Sequence, residues 1–196
     1  LLVTATSLSK EELLALDGKG LEAILIQISA QLLTRGWMLA TAESCTGGMI
    51  AAACTDLAGS SQWFERGFVT YSNAAKTELL GVPAALIEAH GAVSEPVARA
   101  MATGAVARSH AQVAVAVTGV AGPTGGSADK PVGTVWFGWS TDGVVTTEMR
   151  RFAGDRAAVR QATLAHALRG VVQLLHRVRS ARPRHHGRLL CARRHV

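Results

Sequence analysis

The chain has 196 residues, of which 48% are apolar and 17% charged, a composition that fits one well-packed globular domain with short extensions. No apolar run reaches the ~18 residues needed to cross a bilayer, and Leu1-Leu2-Val3 is too short and lacks the basic flank of a secretory signal. The net charge of +6 sits in the C-terminal tail: residues 176–196 hold seven arginines and no acid, and without them 13 basic side chains face 14 acidic ones, so the body of the chain has no charge for a nucleic-acid-binding face.

In chain order, Ser9-Lys10-Glu11-Glu12 reads as a capping box opening a short helix that stops near Gly18. A second helix follows, with Leu21, Ile24, Leu25, Ile28 and Leu32 on one face and Gly36 at its end. Trp37 to Thr41 reads as a strand, and Gly47 to Leu57 as a helix. Gly67 to Tyr71 is β-rich, and Asn73 is a helix cap for a segment ending at Leu80, with Gly81 and Pro83 as stop signals. Ser94 caps a further helix with Pro96 in its first turn.

Ala111 to Val117 is a continuous small-apolar run, the pattern of a strand buried on both faces. Residues 118–131 form a glycine-rich loop. Gly133 to Trp139 and Val144 to Phe152 read as two strands joined by an Asp142-Gly143 hairpin turn. Asp155 caps a long last helix whose face is Leu164, Leu168, Val171, Val172 and Leu175. Helices alternating with strands, plus one hairpin, give an α/β chain, a three-layer α/β/α sandwich on a mixed, mostly parallel sheet. The expected organisation is an N-terminal extension over 1–20, one domain over 21–178 and an Arg/His-rich, disordered tail over 179–196.

Cys45, Cys54 and Cys191 make neither a zinc motif nor a paired disulfide framework, which implies a reducing, cytoplasmic setting. The chain offers no metal-ligand cluster, and no cofactor is expected.

Three segments bear on chemistry. In Ala42-Glu43-Ser44-Cys45-Thr46-Gly47-Gly48, small and hydroxyl-bearing residues precede two glycines, a composition suited to a strand-to-helix turn that exposes a nucleophile and aims backbone N–H groups at an anion. Ser44 reads equally as a helix cap holding the Gly47 amide. Cys45 is a rival nucleophile, because a thiol at a helix N-terminus is acidified; it would want a histidine, and His90, His110 and His166 sit in no motif. The second segment holds Tyr71, the chain's single tyrosine, and Lys76. A lysine acts as a base only when its pKa of ~10.4 is lowered, and Tyr71 could relay the proton or orient the amine. The alternative is a strand-end aromatic and a solvated helix lysine.

The third segment, Thr118 to Gly126, follows a buried strand, where α/β folds keep their ligand loops. Its glycines let main-chain amides approach a phosphate or carboxylate. It matches neither a Walker loop nor a dinucleotide fingerprint. Arg150, Arg151 and Arg156 flank the last strand and could pair with a phosphate.

Together, residues 42–48, 67–76, Gly91-Ala92-Val93-Ser94-Glu95, Thr118-Gly119-Val120-Ala121-Gly122-Pro123 with Gly125-Gly126, and Pro131-Val132-Gly133-Thr134-Val135 resemble the CinA C-terminal-domain family, from about residue 21 to about 177. The resemblance implies an α/β/α sandwich, a homo-oligomer, and deamidation of nicotinamide mononucleotide by a serine, a lysine and a tyrosine. These match Ser44, Lys76 and Tyr71. Thr46, Gly47 and Gly48 are then expected at the oxyanion, and Gly119, Gly122, Gly125 and Gly126 at the nucleotide. A non-catalytic nucleotide-binding or competence-related module is the alternative, with the tail able to hold polyanions loosely.

Overall fold

A computed structural model describes residues 18–141 and 143–181. The expected helix at 9–18, save Gly18, and the expected disordered tail from residue 182 on lie outside those residues, as does Asp142 of the hairpin turn; residues 179–181, expected in the tail, instead continue the last described helix. Helix α1 (Gly18–Arg35) leads to strand β1 (Leu39–Glu43), helix α2 (Met49–Asp56), a 3-10 turn (Ser60–Gln62) and strand β2 (Phe64–Val69). Helices α3 (Asn73–Leu80), α4 (Ala84–His90) and α5 (Glu95–Ala107) follow. Strands β3 (Val113–Gly119), β4 (Thr134–Thr141) and β5 (Val144–Arg151) precede helix α6 (Arg156–Ala181). No described helix is long and apolar enough to cross a membrane.

The sheet order is β2-β1-β3-β4-β5, with β1 parallel to both neighbours and β4 antiparallel to both of its own. Four of the five strands therefore run one way. Alternation along each strand sorts side chains to two cores. Val113, Val115 and Val117 join Val135, Phe137 and Trp139 under α1, α2 and α6. Ala40, Ala42, Ala114 and Ala116 face α5 with Val97, Met101 and Ala105. The small residues on that side let the helix backbone approach the sheet, and a Cβ at Gly138 would lie 2.6 Å from the Ala98 carbonyl oxygen. The connection leaving β1 crosses one face through α2, and the connection leaving β2 crosses the other through α3 to α5. The carboxyl ends of β1, β2 and β3 thus border a crevice where α/β folds bind ligands.

Several expected boundaries move. The strands expected at 37–41 and 111–117 lie two residues later, and β2 starts three residues before the expected Gly67. Ser72, not Asn73, caps α3, its side chain accepting from the Ala75 amide at 3.0 Å. Helix α4 escapes the sequence reading because Gly81 and Pro83, read as a stop for α3, also start the next helix: Pro83 is its N-cap. Ser94 stands at the head of α5, yet its hydroxyl donates back to the Gly91 carbonyl at 2.8 Å. Asp155 does cap α6, accepting from the Ala158 amide at 2.9 Å.

The β1–α2 turn is held by one carboxylate. Glu43 is fully buried on the α2 side of β1. It accepts from the amides of Gly48 (3.0 Å), Ile50 (3.0 Å) and Ala51 (2.8 Å) and from the hydroxyls of Thr41 (3.1 Å) and Thr46 (2.7 Å). Glycine is required at the N-cap because Gly48 is left-handed there, at φ 98°. Lacking a side chain, it leaves the capping of the helix amides to Glu43 from five residues upstream.

Glu43→Gln sets an amide NH2 against these same donors. It is expected to cost about 3 kcal/mol and to lower the thermal midpoint by roughly 10 °C, measured by calorimetry at neutral pH; an unchanged midpoint would show that the turn does not need the charge. A second expectation concerns His166, which lies against Phe137, Trp139 and Phe152 and hydrogen-bonds Glu148 at 3.2 Å, Glu148 also pairing with Arg150. Burial pushes its pKa below the usual 6.5; Glu148 opposes this, and Arg150 and Arg169 add to it. The unfolded chain therefore takes up a proton that the folded imidazole resists, and stability falls as pH drops below about 6.5. Urea titrations between pH 7.5 and 5.5 should show this slope, and His166→Gln should flatten it.

Candidate active site

Ser44 follows β1 directly. Its amide donates to the Val117 carbonyl at 3.1 Å and its own carbonyl accepts from the Gly47 amide at 3.1 Å. The capping contact at Gly47 is thus made by the Ser44 main chain, and the expectation that the Ser44 hydroxyl caps α2 is corrected: no side chain caps that helix from its N-cap position. The hydroxyl instead meets the Lys76 amine, Nζ to Oγ 3.1 Å.

Lys76 lies in α3 and is 1% exposed, so the solvated-lysine reading fails. Its Nζ also donates to the main-chain carbonyls of Thr70 (2.8 Å) and Tyr71 (3.2 Å). Burial lowers its pKa below the usual 10.5, and the opposing influence of Cys45 is smaller. The partner set decides how a neutral amine sits here. Carbonyl oxygens only accept, so the two N–H bonds of an NH2 go to Thr70 and Tyr71, and the remaining lone pair is left for the Ser44 O–H. This is the arrangement of a base beside its nucleophile.

Tyr71 is brought to the site in a different manner. Its carbonyl holds the lysine, while its side chain is 62% exposed and its hydroxyl accepts from Arg156 Nη2 at 3.3 Å. Arg156 also donates to the Gly122 carbonyl at 2.9 Å. One turn later, Arg160 donates to the carbonyls of Cys45 (3.2 Å) and Thr46 (2.9 Å). These two arginines line a cavity of about 650 Å³ with Ala121, Pro123, Val132 and Asp155. The sequence reading noted Arg156, with Arg150 and Arg151, as a partner for a phosphate and missed both Arg160 and Glu43. The i, i+4 spacing of the arginines and a lone acid at the end of an apolar strand were the available signals.

The rival thiol is not acidified. Cys45 is buried, which pushes its pKa up to about 11, with the Glu43 charge adding to the rise and Arg160 and Lys76 opposing it. The expected oxyanion donors are also thinned: the Gly48 amide is engaged by Glu43 and the Gly47 amide by Ser44 O. Thr46 is fully buried, its hydroxyl on Glu43. Among the expected nucleotide-loop glycines, Gly122 reaches the site through Arg156. Gly119 ends β3 against β4, where a Cβ would lie 2.9 Å from the Thr134 carbonyl oxygen. Gly125 neighbours Val120, and Gly126 neighbours Val132.

The family model for the CinA C-terminal domain matches residues 21–175. A protein of Enterobacter agglomerans named nicotinamide-nucleotide amidohydrolase PncC is 59% identical over 143 residues, covering 72% of this chain and 87% of that protein. The protein of the same name from Escherichia coli K12 is 53% identical over 148 residues, covering 75% and 90%. The crystal structure of a competence/damage inducible protein from Agrobacterium tumefaciens is similar at 46% identity, with a TM-score of 0.78 and coverage of 82% of this chain and 98% of that one. The five motifs and their site geometry thus sit inside a match over residues 21–175, and the chain belongs to the CinA C-terminal domain family.

Proposed function

We propose that the chain is an amidohydrolase that converts nicotinamide mononucleotide to nicotinate mononucleotide and ammonia, with Ser44 as nucleophile and Lys76 as base, a step of pyridine-nucleotide salvage. The observation that carries this reading is the buried Lys76 amine, with two carbonyls and the Ser44 hydroxyl as its hydrogen-bond partners. The names of the similar proteins support the substrate.

In the proposed course, Ser44 Oγ attacks the carboxamide carbon as its proton passes to Lys76 Nζ. The tetrahedral oxyanion collapses, Lys76 returns the proton to the departing nitrogen, and ammonia leaves. An ester on Ser44 remains. Water gives a proton to Lys76 and attacks the ester, and Ser44 Oγ leaves and regains the proton. With the Gly47 and Gly48 amides engaged, the oxyanion falls to the amides of Cys45 and Thr46; one such donor is typically worth ~3 kcal/mol of barrier. The sugar-phosphate part of the substrate is assigned to the cavity beside Arg156, Arg160 and the 119–126 loop.

Ser44→Ala is expected to abolish ammonia release, at least 1000-fold in kcat, with an unchanged circular dichroism spectrum. Substantial turnover by that variant would remove Ser44 from the role. Lys76→Arg is expected to be as inactive, because a guanidinium stays protonated. In the wild type, the base must be neutral and burial lowers its pKa. Hence kcat/KM should rise with pH through a single ionisation lying below 10.5 and then level off; a profile that falls over this range would exclude a neutral-amine base.

A further inference from the structure

The Tyr71 side chain has no task in that course, and its surroundings give it one. Tyr71 follows β2, and Gly122 follows β3; both strands flank β1, which ends just before Ser44. The chain of contacts from the Tyr71 hydroxyl to Arg156 to the Gly122 carbonyl therefore passes over the end of β1. Tyr71 is more than half exposed, and its carbonyl holds the Lys76 amine that meets Ser44, so the ring stands on the segment that borders the nucleophile.

A proton route through the phenol meets an obstacle here. The partner of the hydroxyl is the Arg156 guanidinium, which donates to it and has no lone pair to receive a proton. What touches the Lys76 amine is the Tyr71 carbonyl, which any residue supplies. The ring itself is what only an aromatic residue adds.

The proposed substrate carries its carboxamide on a pyridinium, a flat cation. Among the described residues, the two carboxylates near the site are already engaged: Glu43 accepts five hydrogen bonds, and Asp155 holds the Ala158 amide through Oδ1. Around the site stand Arg156, Arg160 and Lys76. A neutral, electron-rich ring face is the surface that attracts a planar cation without adding an anion.

We propose that Tyr71 is a specificity-determining residue whose ring is the platform for the cationic pyridinium of the substrate, its hydroxyl taking no part in proton transfer. This rests on the amidohydrolase reading. Orientation of the carboxamide over Ser44 then follows from stacking on a wall fixed at both ends.

The test uses Tyr71→Phe and Tyr71→Leu, changes at an exposed side chain that leave the main-chain carbonyl in place. Ammonia release from nicotinamide mononucleotide by the wild type first decides the amidohydrolase reading. Tyr71→Phe keeps the ring and loses the Arg156 tie, and is expected to lower kcat by no more than about tenfold. Dissociation constants are then measured on Ser44→Ala, which needs no turnover, for nicotinamide mononucleotide and for its reduced form, whose dihydropyridine ring is uncharged. Adding Tyr71→Leu should weaken the oxidised ligand about tenfold and the reduced ligand less than threefold. A weak charge-transfer absorption on binding the oxidised ligand should vanish with the same change.

A 100-fold loss of kcat in Tyr71→Phe at unchanged affinity would make the hydroxyl a proton carrier and overturn the proposal. Equal weakening of both ligands by Tyr71→Leu would overturn it too, leaving shape and not charge as the basis. Selective binding of the oxidised ligand through Tyr71 in a wild type that releases no ammonia would sink the amidohydrolase reading while keeping the platform. No binding of either ligand would end both.

Discussion

The candidate site depends on a buried carboxylate whose hydrogen bonds all go to the turn and helix beside it. Glu43 gathers three amides from the head of α2 and two threonine hydroxyls. An anion at a helix N-terminus is favoured by the dipole and by the orphan amides there. What it does for Ser44 is indirect. With the helix start anchored to the end of β1, the intervening turn has little freedom, and the Ser44 amide is fixed to β3 through Val117. The same charge also raises the Cys45 pKa, so one carboxylate positions the hydroxyl and helps keep its thiol neighbour protonated.

Lys76 shows the opposite treatment of a buried charge. A lysine paired with an acid would stay an ammonium and could take no proton. Here its partners are carbonyls and a hydroxyl, and burial favours the neutral amine. Placing the fold's deeply buried carboxylate on α2 amides, one residue from Ser44, gives the turn its anchor without giving the lysine a counterion. Holding an amine where it is least comfortable as a cation costs stability, and the strands and helices around it, dense with small apolar residues, are what tolerate it.

Much of the fold was legible because its signals are local. Alternating Val and Ala in β3 announce a strand buried on both faces, and the Leu and Ile spacing in α1 and α6 announces helices. The ends were less legible, since caps are decided by single hydrogen bonds: Ser72 captured the role expected of Asn73, and Gly81 ended one helix while Pro83, read as part of the same stop, started another. Of the candidate site, the motif residues Ser44 and Lys76 were singled out in the sequence, and the structure brings them into contact across 32 positions. Glu43 was not, because an acid beside a candidate nucleophile reads as part of the motif until its five donors are seen. Cys45 misled because position at a helix start predicts an acidic thiol only when the thiol is not buried and the helix amides are not already held by another anion.

The long-range parts of the site were out of reach of any local rule. Arg160 reaches Cys45 across 115 positions and Arg156 reaches Tyr71 across 85. Both sit in the first turns of α6, so the last helix of the domain fixes the loops that follow β1, β2 and β3. A site assembled this way has an unequal division of rigidity. Ser44 and Lys76 are buried and multiply bonded, whereas the Tyr71–Arg156–Gly122 span is held by single contacts on exposed side chains. Recognition is the task suited to such a span, because a wall that yields slightly still attracts a flat cation, while a proton transfer across it would require distances that single exposed contacts do not hold.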